Sequence, residues 1–139
     1  MTKIIIASHH SLAEGFKSTL EYIAPGVANI VTLNAYLDNV SIEDQVKAIM
    51  NELKEDEETI IFTDLLGGSV NQEFTKYLPY KKFHLITGAN FPVILSLVLK
   101  AQNETLADQV IEETIEEAKK QIIYVNKIFN IHEVDEEDE

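Results

Sequence analysis

The sequence predicts an α/β protein built on an open, mainly parallel, doubly wound sheet of four strands in the order 2-1-3-4, with helices on both faces. Two observations support this fold class. Short apolar runs recur along the chain, and they alternate with segments whose apolar residues recur at helical spacing. Such an alternation favours parallel strands joined by right-handed crossovers, with the joining helices covering both faces of the sheet.

The first half of the chain predicts two strands and two helices. Strand 1 is expected at residues 3–8 and strand 2 at Asn29–Ala35. Between them, residues 11–24 carry their apolar side chains on one helical face, and Pro25-Gly26 ends that helix. Ser41 is a suitable N-cap for helix 2, which follows it.

The second half continues the same alternation. Strand 3 is expected at residues 59–64, helix 3 at 70–78 and strand 4 at 82–87. Pro92 lies in the first turn of helix 4, where a proline costs little, and helix 5 is expected at 106–120.

The last part of the chain differs from the rest in its sequence pattern and composition. Residues 122–129 predict a last strand at a sheet edge, either in its own subunit or in a partner's. With 139 residues, the chain is expected to form one domain over residues 1–131. Residues 132–139 are rich in Asp and Glu and predict a disordered acidic tail.

Composition and charge exclude several classes of function. The net charge of −13 opposes binding to nucleic acid or to anionic membranes but is compatible with basic protein partners. The absence of cysteine excludes disulfides, thiolate metal sites and a cysteine nucleophile. Nothing resembles a signal peptide, and the longest apolar run is about half the length that spans a bilayer, so a cytoplasmic protein without membrane insertion is expected.

A histidine and a carboxylate follow two of the predicted strands. His9 ends the first apolar run and Asp64 ends the third. The carboxyl ends of parallel strands meet at the edge of the sheet where ligands collect, so we expect the two side chains to lie close together. A carboxylate bound to one ring nitrogen fixes the histidine tautomer and stabilises a cationic ring, which is what a phosphoryl-accepting imidazole requires.

Groups that would hold the phosphoryl oxygens lie nearby in the sequence. Two sources of backbone N–H groups are expected: His10 and Ser11 at the start of helix 1, and Gly67 and Gly68 in the turn before helix 3. Ser69 would add its hydroxyl. Such groups stabilise a transferring phosphoryl group without a metal ion or other cofactor.

Each of these residues also has a plain structural interpretation. His9 is then a loop histidine, Asp64 caps a turn, and Gly67-Gly68 forms only a tight turn before the N-cap Ser69. His10 is an alternative nucleophile, because it is adjacent to His9. Of the two other histidines, His84 is expected to be structural and His132 to be solvent-exposed.

Three motifs together resemble one protein family. They are Ala7-Ser8-His9-His10, Asp64-Leu65-Leu66-Gly67-Gly68-Ser69 and Gly88-Ala89-Asn90-Phe91-Pro92. In this order, over nearly the whole chain, they are similar to the IIA component of the mannose/fructose/sorbose family of the bacterial phosphoenolpyruvate-dependent sugar phosphotransferase system (PTS). Two departures are Val70, where the family often has proline, and His10, which replaces a smaller residue.

The resemblance implies a role for each motif. His9 would be the phosphoacceptor, Asp64 its orienting partner and Ser69 a contact of the phosphate. Phosphate would arrive from the phosphohistidine of the carrier protein HPr and leave to a histidine of a IIB protein, as one step of a transferase relay that serves membrane sugar transporters. The resemblance also implies a homodimer in which the last strand is exchanged between subunits.

Three other functions are alternatives to this interpretation. A related IIA-like domain donates phosphate to dihydroxyacetone kinase and also uses a histidine at a strand end. A receiver-like signalling domain needs an acidic pair after strand 1, and Ser8-His9-His10 supplies none. A dinucleotide-binding or flavodoxin-like module is disfavoured, because no Gly-x-Gly-x-x-Gly follows strand 1.

Overall fold

Four parallel strands form the sheet in the computed structural model, which describes residues 2–26 and 29–129. The strands are β1 (Lys3–His9), β2 (Asn29–Ala35), β3 (Thr59–Thr63) and β4 (His84–Ile86). Their order is β2-β1-β3-β4, and each neighbouring pair is parallel. The predicted fold class and strand order are therefore confirmed.

In the described part of the chain, five helices cover the two faces of the sheet. They are α1 (Leu12–Ile23), α2 (Ile42–Asn51), α3 (Ser69–Thr75), α4 (Phe91–Ala101) and α5 (Asp108–Lys119). Buried residues of α1, α4 and α5 pack on one face, and those of α2 and α3 pack on the other. The sheet is thus doubly wound, as the alternation of strands and helices predicted.

The central strand β1 supplies side chains to both cores. Ile4 and Ile6 pack on the face covered by α1, α4 and α5, whereas Ile5 and Ala7 pack on the opposite face. A parallel strand that is buried on both faces has a continuous apolar sequence rather than an alternating one. This explains why residues 3–8 contain an unbroken apolar run.

Several elements are shorter than the sequence predicted, and α3 and β4 are among them. Helix α3 ends at Thr75 instead of residue 78. Beyond Thr75 the backbone N–H groups form turns, in which each bonds to the carbonyl three residues earlier; Tyr77 N–H, for example, donates to Phe74 O at 3.0 Å. Pro79 then supplies no N–H to continue a helix. Strand β4 is limited to His84–Ile86, and β3 is its single partner among the described strands.

The prediction of a strand at residues 122–129 is wrong for this chain. Residues 122–124 have no regular structure, and residues 125–129 are helical. A strand needs a ladder partner for its backbone groups, and this segment pairs with no strand among the described residues, so local helical bonds replace a ladder. The predicted acidic tail at 132–139, with His132, lies outside the described residues.

Within the described ranges, no helix combines the length and the apolar character needed to cross a bilayer.

The first turn of α1 is capped by side chains from two strands. Ser8 Oγ accepts a hydrogen bond from Ala13 N–H at 2.7 Å, and Asn34 Oδ1 accepts one from Glu14 N–H at 3.1 Å. Ser11, the residue at the N-cap position, makes no side-chain capping bond. The start of α1 therefore depends on the paired ends of β1 and β2 rather than on its own sequence.

We predict that Ser8→Ala lowers the free energy of unfolding by about 1–2 kcal/mol, because it leaves the buried Ala13 N–H without an acceptor. The matched control is Ser11→Ala, which should change stability by less than about 0.5 kcal/mol, since Ser11 caps nothing. Chemical denaturation of both variants measures the difference. An equal loss in the two variants would contradict this account of the cap.

Candidate functional site

The structure brings His9 and Asp64 together at the carboxyl edge of the sheet. His9 is the last residue of β1, and Asp64 follows directly after β3, its neighbour in the sheet. Asp64 Oδ2 accepts a hydrogen bond from the backbone N–H of His9 at 2.8 Å and lies 3.0 Å from Nδ1 of the His9 ring. One carboxylate oxygen therefore holds both the main chain and the side chain of His9.

The environment of Asp64 keeps its carboxylate ionised. Burial of the side chain, which is 10% exposed, raises its pKa, but the hydrogen bonds from the His9 backbone and ring together with the charge interaction outweigh this effect. The pKa of Asp64 therefore lies below its usual value of 3.8. Its other oxygen, Oδ1, accepts from Leu65 N–H at 3.0 Å.

An ionised acceptor at Nδ1 decides the tautomer of His9. A carboxylate only accepts hydrogen bonds, so Nδ1 carries the ring proton and Nε2 keeps its lone pair. The His9 side chain is 37% exposed, so this lone pair belongs to a ring that is open to solvent. The arrangement produces an accessible nucleophilic nitrogen beside a fixed negative charge.

Ser69 lies on the Nε2 side of the ring. Its Oγ is 3.5 Å from His9 Nε2 and 2.6 Å from the hydroxyl oxygen of Tyr36. Ser69 is the first residue of α3, which begins after the Gly67-Gly68 turn. The predicted trio of His9, Asp64 and Ser69 is thus assembled at one place.

Each of the two glycines of the turn is required by a different structural constraint. Gly67 has φ +77°, in the left-handed region that favours glycine. A Cβ at Gly68 would lie 3.3 Å from His9 Cε1 and 3.2 Å from both the Cβ and the carbonyl oxygen of Leu65. Gly68 therefore allows the backbone to approach the edge of the imidazole.

Some of the backbone donors predicted for the phosphate are already engaged. His10 N–H donates to Ala35 O at 2.8 Å, and Gly68 N–H donates to Leu65 O at 3.1 Å. By contrast, the N–H groups of Ser11, Gly67 and Ser69 have no protein acceptor among the described residues. The available donors are therefore fewer than the sequence suggested.

The His10 ring makes no hydrogen bond to the Asp64 carboxylate. Its Nδ1 lies 3.2 Å from Ser11 Oγ, in an exposed contact, and its backbone has φ +56°. No contact with Asp64 holds this ring, whereas two hydrogen bonds hold His9. The geometry favours His9 over His10 as the acting histidine.

Tyr36 is a site residue that the sequence analysis missed. It follows β2, its ring stacks on the His9 ring with centroids 5.5 Å apart and planes 29° apart, and its hydroxyl contacts Ser69. Its φ is +68°, a conformation that costs a residue other than glycine on the order of 1–3 kcal/mol. The predicted strand order could have indicated Tyr36, because strands 2 and 1 are neighbours and residues just after strand 2 therefore lie beside the end of strand 1.

The His9 ring is partly open to solvent, with 37% of its side chain exposed. The cavity behind Asp64 has a volume of about 10 Å³, roughly the room for one water molecule. A cleft of about 810 Å³ lies at the opposite rim, where its lining includes the acidic loop 54–58 and His84 at the start of β4. Four leucines in the segments that adjoin the site residues are exposed: Leu12, Leu37, Leu65 and Leu66.

Within residues 2–26 and 29–129, no three His, Asp or Glu side chains are grouped so as to hold a metal ion.

A family model described as "PTS system fructose IIA component" matches residues 3–119 of the chain. The chain belongs to this family. The resemblance seen in the three sequence motifs is thereby confirmed, and the IIA protein shares the family's fold and its general place in the phosphotransferase system.

Solved structures of related proteins agree with this assignment. A PTS permease protein from Klebsiella pneumoniae is 35% identical, with a TM-score of 0.85 over 93% of this IIA protein and 95% of that chain. The PTS component EIIA from Streptococcus agalactiae is 27% identical, with a TM-score of 0.79 over 91% of this chain and 99% of that one. A search of curated protein sequences found no significant match.

A third relative is the PTS IIA protein associated with the fucose utilization operon of Streptococcus pneumoniae. It is 26% identical, with a TM-score of 0.76 over 93% of this IIA protein and 97% of that chain. Each relative is matched over nearly its full length, so the likeness extends to the whole fold and is not confined to the motifs.

We predict that Asp64→Asn lowers stability near neutral pH, because the amide cannot supply the charge that His9 contacts. A carboxylate with a lowered folded-state pKa stabilises the protein above its unfolded-state pKa, and this contribution is lost as pH falls through the folded-state pKa. The stability difference between the two proteins should therefore shrink below about pH 3.8.

Urea denaturation from pH 7 to pH 3 measures this difference. The matched control is Asp56→Asn, which changes an exposed carboxylate of the acidic loop and should leave the shape of the pH profile unaltered. A difference between wild type and Asp64→Asn that stays constant over the whole range would contradict a charge-dependent contact.

Proposed function

We propose that this IIA protein is a phosphoryl carrier of a sugar phosphotransferase system. His9 accepts a phosphoryl group from the phosphohistidine of HPr and passes it to a histidine of a IIB protein during sugar uptake. The observation that carries the proposal is the orientation of the His9 ring, whose Nδ1 lies 3.0 Å from Asp64 Oδ2 while Nε2 faces the Ser69 hydroxyl.

The transfer step follows from this orientation. The lone pair of His9 Nε2 attacks the phosphorus of the donor phosphohistidine, the new N–P bond forms and the donor's N–P bond breaks, which returns the bonding electrons to the donor imidazole. The His9 ring becomes cationic while Nδ1 keeps its proton. The adjacent Asp64 carboxylate stabilises that charge, by the logic of the histidine–aspartate pair in hydrolytic triads.

The phosphoryl oxygens need donors on the Nε2 side. Ser69 supplies a hydroxyl there, and the N–H groups of Ser11, Gly67 and Ser69 have no acceptor in the described part of the chain. Donors that are fixed before the reaction stabilise charge on the equatorial oxygens without reorganising. Passing the group on to the IIB protein is the same step in reverse, with a different histidine as acceptor.

The shape of the site favours proteins as donor and acceptor. The His9 ring is 37% exposed, and leucines in the adjoining segments, Leu12, Leu37, Leu65 and Leu66, are exposed as well. A small phosphate donor would need an enclosing pocket, whereas a flat apolar surface suits a protein partner. The net charge of −13 also suits basic partners.

The comparisons support sugar uptake over the alternatives. The matching family model is described as a sugar PTS component, and one relative is associated with fucose utilization. The intact turn before α3 and the Gly88-Ala89-Asn90 segment favour this system over phosphate donation to dihydroxyacetone kinase. We place the carrier in the cytoplasm, where HPr and the IIB protein would meet it.

We predict one acid-labile phosphate per subunit on His9 after incubation with phosphoenolpyruvate and the two general PTS proteins, enzyme I and HPr. His9→Ala should abolish the labelling, because it removes the nucleophile. His10→Ala is the matched control and should still be labelled. Mass spectrometry of intact protein and peptides reads the result, and phosphate on His10 would contradict the assignment.

The carrier is also proposed to be a homodimer. Apolar side chains near the end of the chain are exposed, including Ile122 at 78% and Tyr124 at 72%. Strand β4 lies at the edge of the sheet, and its outer side pairs with no strand of the described residues. A second copy of the chain would cover both features.

We predict that the wild-type protein sediments at about twice its monomer mass of 15.7 kDa. The double variant Ile122→Lys/Tyr124→Lys should sediment as a monomer, because charge opposes burial of this segment. Tyr22→Lys is the matched control, since Tyr22 is 88% exposed on α1, and it should remain dimeric. A monomeric wild-type protein would contradict the proposal.

A further inference from the structure

Tyr36 joins two groups of the site that otherwise touch only weakly. Its ring lies against the His9 ring at 5.5 Å, and its hydroxyl oxygen is 2.6 Å from Ser69 Oγ. Ser69 Oγ, in turn, is 3.5 Å from His9 Nε2, at the outer limit of a hydrogen bond. The shortest of these polar contacts is thus the one that Tyr36 makes.

We propose that Tyr36 is a positioning residue for phosphoryl transfer, which holds the Ser69 hydroxyl at the His9 Nε2 side and supports one face of the imidazole. The inference rests on the proposed carrier function. It assigns to Tyr36 a role that acts through Ser69 and His9, not a contact with the phosphorus.

The direction of the hydrogen bonds explains how Tyr36 acts. A serine hydroxyl has one proton and accepts through its lone pairs. When the Tyr36 O–H donates to Ser69 Oγ, the Ser69 proton is left to point toward Nε2 or toward a phosphoryl oxygen bound there. Consecutive hydrogen bonds of this kind polarise one another, so the Tyr36 hydroxyl makes Ser69 a stronger donor.

The backbone of Tyr36 points to the same role. With φ +68°, Tyr36 occupies the left-handed region although it carries a large side chain. Strained residues of this kind are retained where the surrounding structure uses the resulting orientation. Here that orientation directs a half-exposed tyrosine, 54% accessible, back onto the His9 ring.

The test measures single-turnover transfer from phosphorylated HPr, with the rate at saturating donor and the half-saturating concentration determined separately. Tyr36→Phe keeps the ring and removes the hydroxyl, and we expect it to lower the saturating rate about tenfold with little change in half-saturation. Tyr36→Asn, which tolerates the left-handed backbone, removes the ring as well and should lower the rate at least as much.

A double-mutant cycle separates positioning from a general structural effect. If Tyr36 acts through Ser69, the variant Tyr36→Phe/Ser69→Ala should transfer no more slowly than Ser69→Ala alone. Tyr22→Phe, on an exposed tyrosine at the far end of α1, is the matched control and should transfer at the wild-type rate. Thermal melting confirms that each variant is folded.

Three outcomes would overturn the role of Tyr36: an unchanged saturating rate in Tyr36→Phe, losses that multiply in the double variant, or a change confined to half-saturation, which would make Tyr36 a docking residue. A wild-type protein that takes no phosphate on His9 would instead refute the carrier function, and the inference about Tyr36 would fall with it. Labelling of His9 in the wild-type protein therefore distinguishes failure of the carrier function from failure of the role assigned to Tyr36.

Discussion

A single carboxylate oxygen, Oδ2 of Asp64, holds the main chain and the ring of His9 at the same time. The backbone bond fixes the end of β1 against the end of β3, and the ring bond fixes the tautomer and the rotation of the imidazole. Because both bonds end on one atom, the ring orientation follows from the pairing of the two strands. The orientation of the ring in turn determines that Nε2 faces Ser69 and that the ring stacks on Tyr36.

Three adjacent strand ends supply the remaining parts of the site. β2 ends before Tyr36, β1 ends at His9, and β3 leads into the turn that carries Gly68 and Ser69. Left-handed residues follow two of these strands directly, His10 with φ +56° and Tyr36 with φ +68°. The hydrogen bond from His10 N–H to Ala35 O joins the two turns, so the strand order 2-1-3 is what makes the constellation possible.

The sequence was sufficient for the fold and for part of the site because those parts depend on local pattern and strand order. Runs buried on both faces identified the strands, and parallel strands bring His9 and Asp64 to one edge. Tyr36 was not predicted, because tertiary contacts rather than a local signal place a tyrosine in a left-handed turn. Likewise, the apolar character of residues 122–129 indicates that they need burial, but it does not specify a strand when the described residues offer no ladder partner.

The exposure of the His9 ring would affect the lifetime of any phosphoryl group attached to it. Because the His9 ring is 37% exposed, a phosphohistidine on this chain would be fully shielded from bulk water only while a partner covers it. Between encounters, the rate of loss to hydrolysis would be set by the intrinsic lability of the N–P bond, not by enclosure. The efficiency of the relay would then depend on the concentration of its partners, because rapid re-association would compete with spontaneous dephosphorylation.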